Sequence, residues 1–387
     1  MARRTPGLDW ILTGAVMGLV VLGSLLVWSA TSARPALTGG DSTAYLEKHL
    51  VNVAIGAVLF VVVLAIDHRW LRIVAPLVYL ASIAGLVMVL AMGTTVNGSR
   101  SWLMLGGMSI QPSEFAKLAV VVGMGLLVAE RTQGAWRRRV NSVDVIGMLV
   151  IAGIPAALIL LQPDLGTMLV LSATVFGVLA VAGASRRWLV GLVLAGGAAA
   201  VAAVVLGFLK PYQLDRFMAF TNPDLDPRGA GYNVEQARIA IGNGGVFGQG
   251  LFDGSQTRSG FVPEQHTDFI FTVAGEELGL LGAGAMIALL AIVVWRCLAI
   301  AVHADDMFGR IAASGIACWI GFQAFQNIGM CLGIMPVTGV PLPFVSYGGS
   351  SMFAGMLALG LVQNIHLRSS SLLPTGLALN ARPLLRL

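Results

Sequence analysis

The chain has 387 residues, of which 57% are hydrophobic and only 11% charged, with a formal charge of +5 and a mean hydropathy of +0.83. A soluble globular domain carries about 25% charged residues, so this composition excludes one and indicates an integral membrane protein. It also excludes a nucleic-acid binder, because no basic, aromatic-interleaved soluble segment exists to hold a strand. Cys297, Cys318 and Cys331 lie in or near apolar runs and show neither a disulfide framework nor metal-ligand spacing.

Apolar runs predict an all-α polytopic membrane protein with about ten transmembrane helices, each near the ~20 residues a bilayer requires. They fall at roughly 10–30, 49–66, 73–92, 113–130, 143–161, 166–183, 188–209, 268–295, 309–330 and 346–367. The first is too long for a signal-peptide core and reads as a retained span. Residues 1–387 form a single membrane domain with a long extracytoplasmic loop, 210–267, before the eighth helix, and a cytoplasmic tail, 368–387. Orientation follows from loop charge. Arg3, Arg4, Arg69, Arg72, Arg131, Arg137, Arg138, Arg139, Arg186, Arg187, Arg296, Arg310 and Arg368 all fall on one side, which places both termini in the cytoplasm.

The polar residues inside or beside these spans gather toward the opposite, outer face. Arg100-Ser101-Trp102 precedes Gln111-Pro112-Ser113-Glu114-Phe115-Ala116-Lys117, where Pro112 suits a helix start and Glu114 and Lys117 share a helix face. A charge within a span costs about 2.5–3.5 kcal/mol, so the two are either a structural ion pair or part of an outward-opening polar cavity. Asp164, in Gln162-Pro163-Asp164-Leu165-Gly166, is either ordinary turn chemistry or a member of the same site. In the long loop, residues 232–242 have helical spacing, with Val234, Ala237 and Ile241 on one side, and predict an amphipathic helix on the outer leaflet carrying Arg238. The cluster Pro263-Glu264-Gln265-His266-Thr267-Asp268 then enters an apolar run. Asp268 is expected in a first helical turn, as a favourable N-terminal residue or as a general base with access to the membrane surface; His266 is a second acid/base candidate. Gln323, Gln326 and Asn327 on one helical face read as ordinary helix–helix hydrogen bonding. Residues 335–351 hold prolines and glycines among apolar residues, including Ser346 and Ser350. They predict irregular backbone at membrane depth, which is tolerated only when buried in protein or lining a cavity.

Five segments, in order along nearly the whole chain, carry a resemblance: WLMLGGMSIQPSEFAKLA, LLQPDLGT, GYNVEQARIAIGNGGVFGQG, PEQHTDFIFTVAGEELGLLG and MPVTGVPLPFVSYGGSSM. Together they resemble the SEDS family (shape, elongation, division and sporulation). PSEFAKLA, GSQTRSGFVPEQHTDFIF and VTGVPLPFVSYGG look more like its RodA branch than its FtsW branch. The resemblance implies a peptidoglycan glycosyltransferase of the bacterial cytoplasmic membrane that polymerises lipid II during wall elongation and shape maintenance. Partners would be a class B penicillin-binding protein and other elongation-complex membrane proteins. Asp268 would be the catalytic base, and Trp102, Glu114, Lys117 and Asp164 would belong to the cavity. Departure of undecaprenyl pyrophosphate requires positive charge, for which Lys117, Arg100, Arg238 and Arg216 are candidates; a divalent cation, Mg or Mn, held by carboxylates is another, although no dense metal-ligand motif is present. Two rivals remain: a lipid II flippase or other lipid transporter, which would present a route open from both sides, and a non-catalytic scaffold, which would leave Asp268 and the Glu114/Lys117 pair without a task.

Overall fold

The computed structural model describes residues 7–66, 68–96, 99–105, 108–131, 140–207, 213, 216 and 229–369. Arg3, Arg4, Arg137, Arg138, Arg139, the first part of the long loop apart from Gln213 and Arg216, and the tail beyond Ser369 lie outside them. The helices are α1 (Trp10–Ser32), α2 (Pro35–Thr38), α3 (Ala44–Ala65), α4 (His68–Met92), α5 (Pro112–Arg131), α6 (Ser142–Leu161), α7 (Leu165–Ala182) and α8 (Arg186–Val205). They continue with α9 (Ala230–Asn243), α10 (Ser255–Ser259), α11 (Ile270–Glu277), α12 (Gly279–His303), α13 (Met307–Leu332) and α14 (Gly349–Ser369). The chain is a multi-pass membrane protein: α1, α3 to α8 and α12 are each long and apolar enough to cross a bilayer.

Position in the bundle explains which helices advertise themselves by hydropathy. Helix α8 has no buried residue, and past its opening Arg186 and Arg187 it is apolar throughout, as a surface turned to lipid must be. Helix α5 is 72% buried and less apolar. Helices α13 and α14 fall below the span criterion, yet they form the centre: α13 packs against α5, α7 and α12, and α14 against α3. Their neighbours are protein groups, so Gln323, Gln326, Asn327, Gln363 and Asn364 are fully buried and find partners there.

The end of the bundle that holds the start of α1 is fastened by polar clips. Gln363 accepts from the backbone N–H of Asp9 and donates to its carbonyl, both at 3.0 Å, joining α14 to the start of α1. Asn364 donates to the carbonyls of Val63, Leu64 and Ile66 at the end of α3. Two arginines that entered the loop-charge reading are structural: Arg296 pairs with Asp9, and Arg72 with Asp306.

At the opposite end the bundle adds a small sheet that the helical pattern does not foretell. Strands β1 (Thr94–Val96), β2 (Ser99–Leu105) and β3 (Met108–Ile110) pair antiparallel in that order, with Thr94 opposite Trp102 and Leu103 opposite Ile110. The expected eighth span is a broken helix. Gly279 takes φ +65° between α11 and α12, and a Cβ there would lie 2.3 Å from the amide nitrogen of Gly248, so the loop crosses directly over the break. The amphipathic helix α9 forms, but it spends its apolar face on protein: Val234, Ala237 and Ala240 are buried, and the helix packs on α11 and α13 rather than lying on the leaflet.

Candidate active site

Asp268 sits in a tight turn two residues ahead of α11, not in its first turn. Glu264, at φ +47°, turns its carbonyl to accept from the amides of Thr267, Asp268 and Phe269 at 3.2, 3.0 and 3.2 Å. These three amides are satisfied by the turn, which delays the helix and leaves the Asp268 side chain at the mouth of the bundle.

The wall facing Asp268 is the irregular segment between α13 and α14. It is held by amides from α13: Gln323 Nε2 donates to Pro341 O at 2.8 Å and Asn327 Nδ2 to Val340 O at 2.7 Å, while Gln326 Nε2 donates to the side-chain Thr338 Oγ1 at 2.7 Å. Asn327 Nδ2 also donates to the carbonyl of Asp268 at 2.7 Å, joining the two halves of the site. The three amides therefore organise a non-helical wall, a more specific task than general helix–helix bonding. Val337, Val340, Leu342, Phe344 and Val345 anchor that wall in the core.

Between these walls lies a cavity of about 200 Å³ whose lining includes Trp102, Asp164, Arg216, Glu264, Asp268 and Ser350. Burial pushes the Asp268 carboxyl up to about 7; the charges of Glu264 and Asp164 add to the rise, and Arg216 opposes it. The carboxyl therefore titrates near neutral pH instead of staying fully ionised, a favourable match for general-base work. Asp164 caps α7, accepting from Thr167 N at 2.9 Å and Thr167 Oγ1 at 2.8 Å, and takes a further bond from Gln111 Nε2 at 3.2 Å. Ser350 Oγ accepts from the backbone N–H of Gln111 at 2.8 Å, tying α14 to the chain leading into α5.

Other expected site residues stand elsewhere. Lys117 is buried behind the wall, donating to Glu114 Oε1 and Gln323 Oε1, each at 2.7 Å, with the Trp319 ring centroid 4.9 Å from Nζ. Neither Lys117 nor Glu114 lines the cavity; they reach it through Gln323 and the Pro341 carbonyl. Arg100 points along the sheet, donating to the carbonyls of Gly93 and Ala91 at 2.8 and 3.0 Å, because β2 must be fastened to the end of α4. Arg238 is exposed on the outer side of α9. Ser346 is buried and accepts from Leu342 N at 2.8 Å, closing a turn. His266 lies between Tyr45 and Tyr347, at centroid distances of 5.0 and 5.7 Å, and does not line the cavity. Burial, aided by the charge of Arg34, lowers its imidazole to about 4, which removes it as a neutral-pH proton carrier. Of the four cations considered for a leaving phosphate, Arg216 alone borders the cavity among the described residues. Glu264 and Gln111 also belong to the lining, and periodicity gave no signal for either. Among the described residues no group of three or more His, Cys, Asp or Glu is arranged to hold a metal ion, and Asp164 is engaged by Thr167 and Gln111.

A family model described as cell cycle protein, covering FtsW, RodA and SpoVE, matches residues 9–371. The chain belongs to this family, the SEDS proteins. Within it, the chain is 37% identical over 351 residues to the peptidoglycan glycosyltransferase MrdB of Escherichia coli, covering 91% of each chain. It is 36% identical over 364 residues to the probable peptidoglycan glycosyltransferase FtsW of Trichlorobacter lovleyi, covering 94% of each. Among solved structures, this SEDS chain is similar to the rod shape determining protein RodA of Thermus thermophilus, with TM-score 0.67, 31% identity and coverage of 93% of this chain and 97% of that one. It is also similar to a chain from a peptidoglycan synthase complex described as coordinating polymerization and crosslinking, with TM-score 0.77, 32% identity and coverage of 94% and 98%.

Proposed function

We propose that this SEDS protein is a peptidoglycan glycosyltransferase of the bacterial cytoplasmic membrane, both termini cytoplasmic, that polymerises lipid II beside a class B penicillin-binding protein. The observation that carries the reading is Asp268: a carboxyl raised to about 7, set in a polar cavity, with Arg216 within electrostatic reach. Relatives named peptidoglycan glycosyltransferases match over nine-tenths of the chain, which supports the same reaction here.

In this reading the Asp268 carboxylate takes the proton of the acceptor's GlcNAc 4-hydroxyl. The freed oxygen bonds to C1 of the donor's MurNAc, the C1–oxygen bond to the diphosphate breaks with inversion, and undecaprenyl diphosphate leaves with the bonding electrons. Arg216 offsets charge developing on the departing diphosphate. No step here depends on the Mg or Mn considered from the sequence. A role in elongation, in the manner of RodA, rests on the PSEFAKLA and GFVPEQHTDFIF segments, because the identities to MrdB and FtsW differ by one percentage point.

The test is to purify the full chain with its penicillin-binding partner, block the partner's transpeptidase, supply lipid II and resolve products on a gel. Glycan ladders are expected. Their absence, together with movement of lipid II across sealed vesicles, would favour a transporter.

A further inference from the structure

A second cleft of about 360 Å³ opens at the outer end of α1, lined by residues that include Arg34, Arg258, Ser259, Glu264 and His266. It shares Glu264 with the Asp268 cavity, so the two are neighbours with one carboxylate in the dividing wall. The cleft is built rather than incidental. One Arg34 terminal nitrogen donates to Gln265 Oε1 at 2.6 Å and to the carbonyls of Val262 and Thr257 at 3.3 and 3.4 Å, which fixes the guanidinium. Gly260, at φ +71°, allows close approach: a Cβ there would sit 3.4 Å from Arg34 Nε. Two nitrogens are left over. Arg34 Nε is buried without a partner, and so is Nδ1 of His266, a residue only 7% exposed whose side chain lines the cleft. Arg258 stands at the rim, its side chain 61% exposed and only loosely paired with Asp253 at 3.7 Å.

We propose that this cleft is a subsite for the diphosphate of the acceptor lipid, separate from the Asp268 cavity where the donor's diphosphate departs. The inference rests on the polymerase reading, since a reaction joining two diphosphate-linked lipids must hold both at once. A diphosphate matches the chemistry present: a fixed guanidinium, a second, exposed arginine at the rim whose long contact to Asp253 a diphosphate can replace, and a buried ring nitrogen. The cleft follows directly on the end of a helix long enough to span, the position where a lipid's phosphates meet the protein surface. Glu264, in the wall common to both, stands between the two diphosphates while leaving a sugar hydroxyl free to reach Asp268.

The experiment uses the full-length Asp268→Asn protein in nanodiscs of neutral lipid, so that nothing turns over, and counts bound lipid II by native mass spectrometry. Two lipid II molecules per chain are expected, falling to one in Arg34→Ala/Arg258→Glu. Arg258→Glu alone, which disturbs no buried contact, is expected to weaken the second binding event about tenfold or more. An unchanged count and affinity in both variants overturns the subsite. So does displacement of the second lipid II by equimolar phosphatidylglycerol, which would identify a general anionic-lipid site. A single lipid II in the parent, with ladders still made by the wild-type enzyme, overturns the subsite alone. No binding in the parent and no ladders would bring down the polymerase reading with it.

Discussion

Asn327 holds Asp268 by its backbone. Its buried side-chain amide donates to the Asp268 carbonyl and to the Val340 carbonyl at 2.7 Å each, so one residue of α13 sets the spacing between the turn that carries the carboxyl and the wall opposite. Replacing it with Leu orphans two buried carbonyls, at about 1–3 kcal/mol for each group left unsatisfied. The expected outcome is a lower thermal midpoint in detergent and a fall in kcat that outweighs any change in KM. Unchanged stability and turnover would show that the two carbonyls find water instead.

Gly339 approaches the same carboxyl from the other side. It has φ +69°, and a Cβ there would lie 3.3 Å from Asp268 Oδ2. Gly339→Ala combines left-handed strain, of order 1–3 kcal/mol, with a methyl group against the reacting oxygen. A displacement near 1 Å at a reacting group can cost ~10²-fold in rate. Polymerisation by Gly339→Ala is therefore expected to fall tenfold or more by the same estimate, with folding largely retained, as read by ladder intensity beside size-exclusion elution. Wild-type turnover would mean the wall gives way freely.

Glu114, Lys117 and Gln323 form one buried unit, so single removals should be disproportionately harmful. Breaking a buried ion pair by deleting one partner costs about 3–5 kcal/mol, because the remaining charge is stranded. Lys117→Met and Glu114→Gln should each destabilise strongly, while the double variant should destabilise by less than their sum. Unfolding midpoints of the four proteins give the coupling, and simple additivity would contradict the pair.

The pH dependence of turnover should follow Asp268. Its carboxyl is raised to about 7, and the base must be deprotonated, so kcat/KM should climb tenfold per pH unit below that value and level off above it. Because Glu264 contributes to the rise, Glu264→Gln should move the midpoint downward. The stability sign is opposite. A carboxyl whose folded pKa exceeds its unfolded one stabilises fully below the unfolded value of 3.8, and loses that contribution as pH rises toward 7. Asp268→Asn should therefore unfold at a higher temperature than wild type at pH 8 and show less advantage at pH 5. A pH-independent rate would detach the reaction from this carboxyl.

What the sequence made legible depended on what each residue faces. Helices whose surfaces meet lipid, such as α8, are readable because lipid demands apolar side chains throughout. The irregular wall at 335–348 was also legible, since prolines and glycines at membrane depth have few alternatives. Asp268, Trp102, Asp164 and Ser350, named together from the sequence, line one cavity in the fold. Roles set by distant partners were not legible. Nothing local to Asn327 tells that its amide reaches a carbonyl fifty-nine residues away. Arg100 and Arg238 looked equivalent to Arg216 as cations, and only the fold directs the first two away from the cavity. The outer strands β1 and β3 were missed because three-residue segments carry no usable alternation, and the seven residues of β2 have no polar–apolar alternation to mark them.

Single-turnover consumption of lipid II by wild type and Asp268→Asn, each bound to its partner, decides whether Asp268 is the base of a lipid II polymerase. The variant is expected to insert, bind its partner and bind lipid II normally, yet lose at least ~10² in rate, the low end for a positioned base. A variant that consumes lipid II at close to the wild-type rate would contradict it.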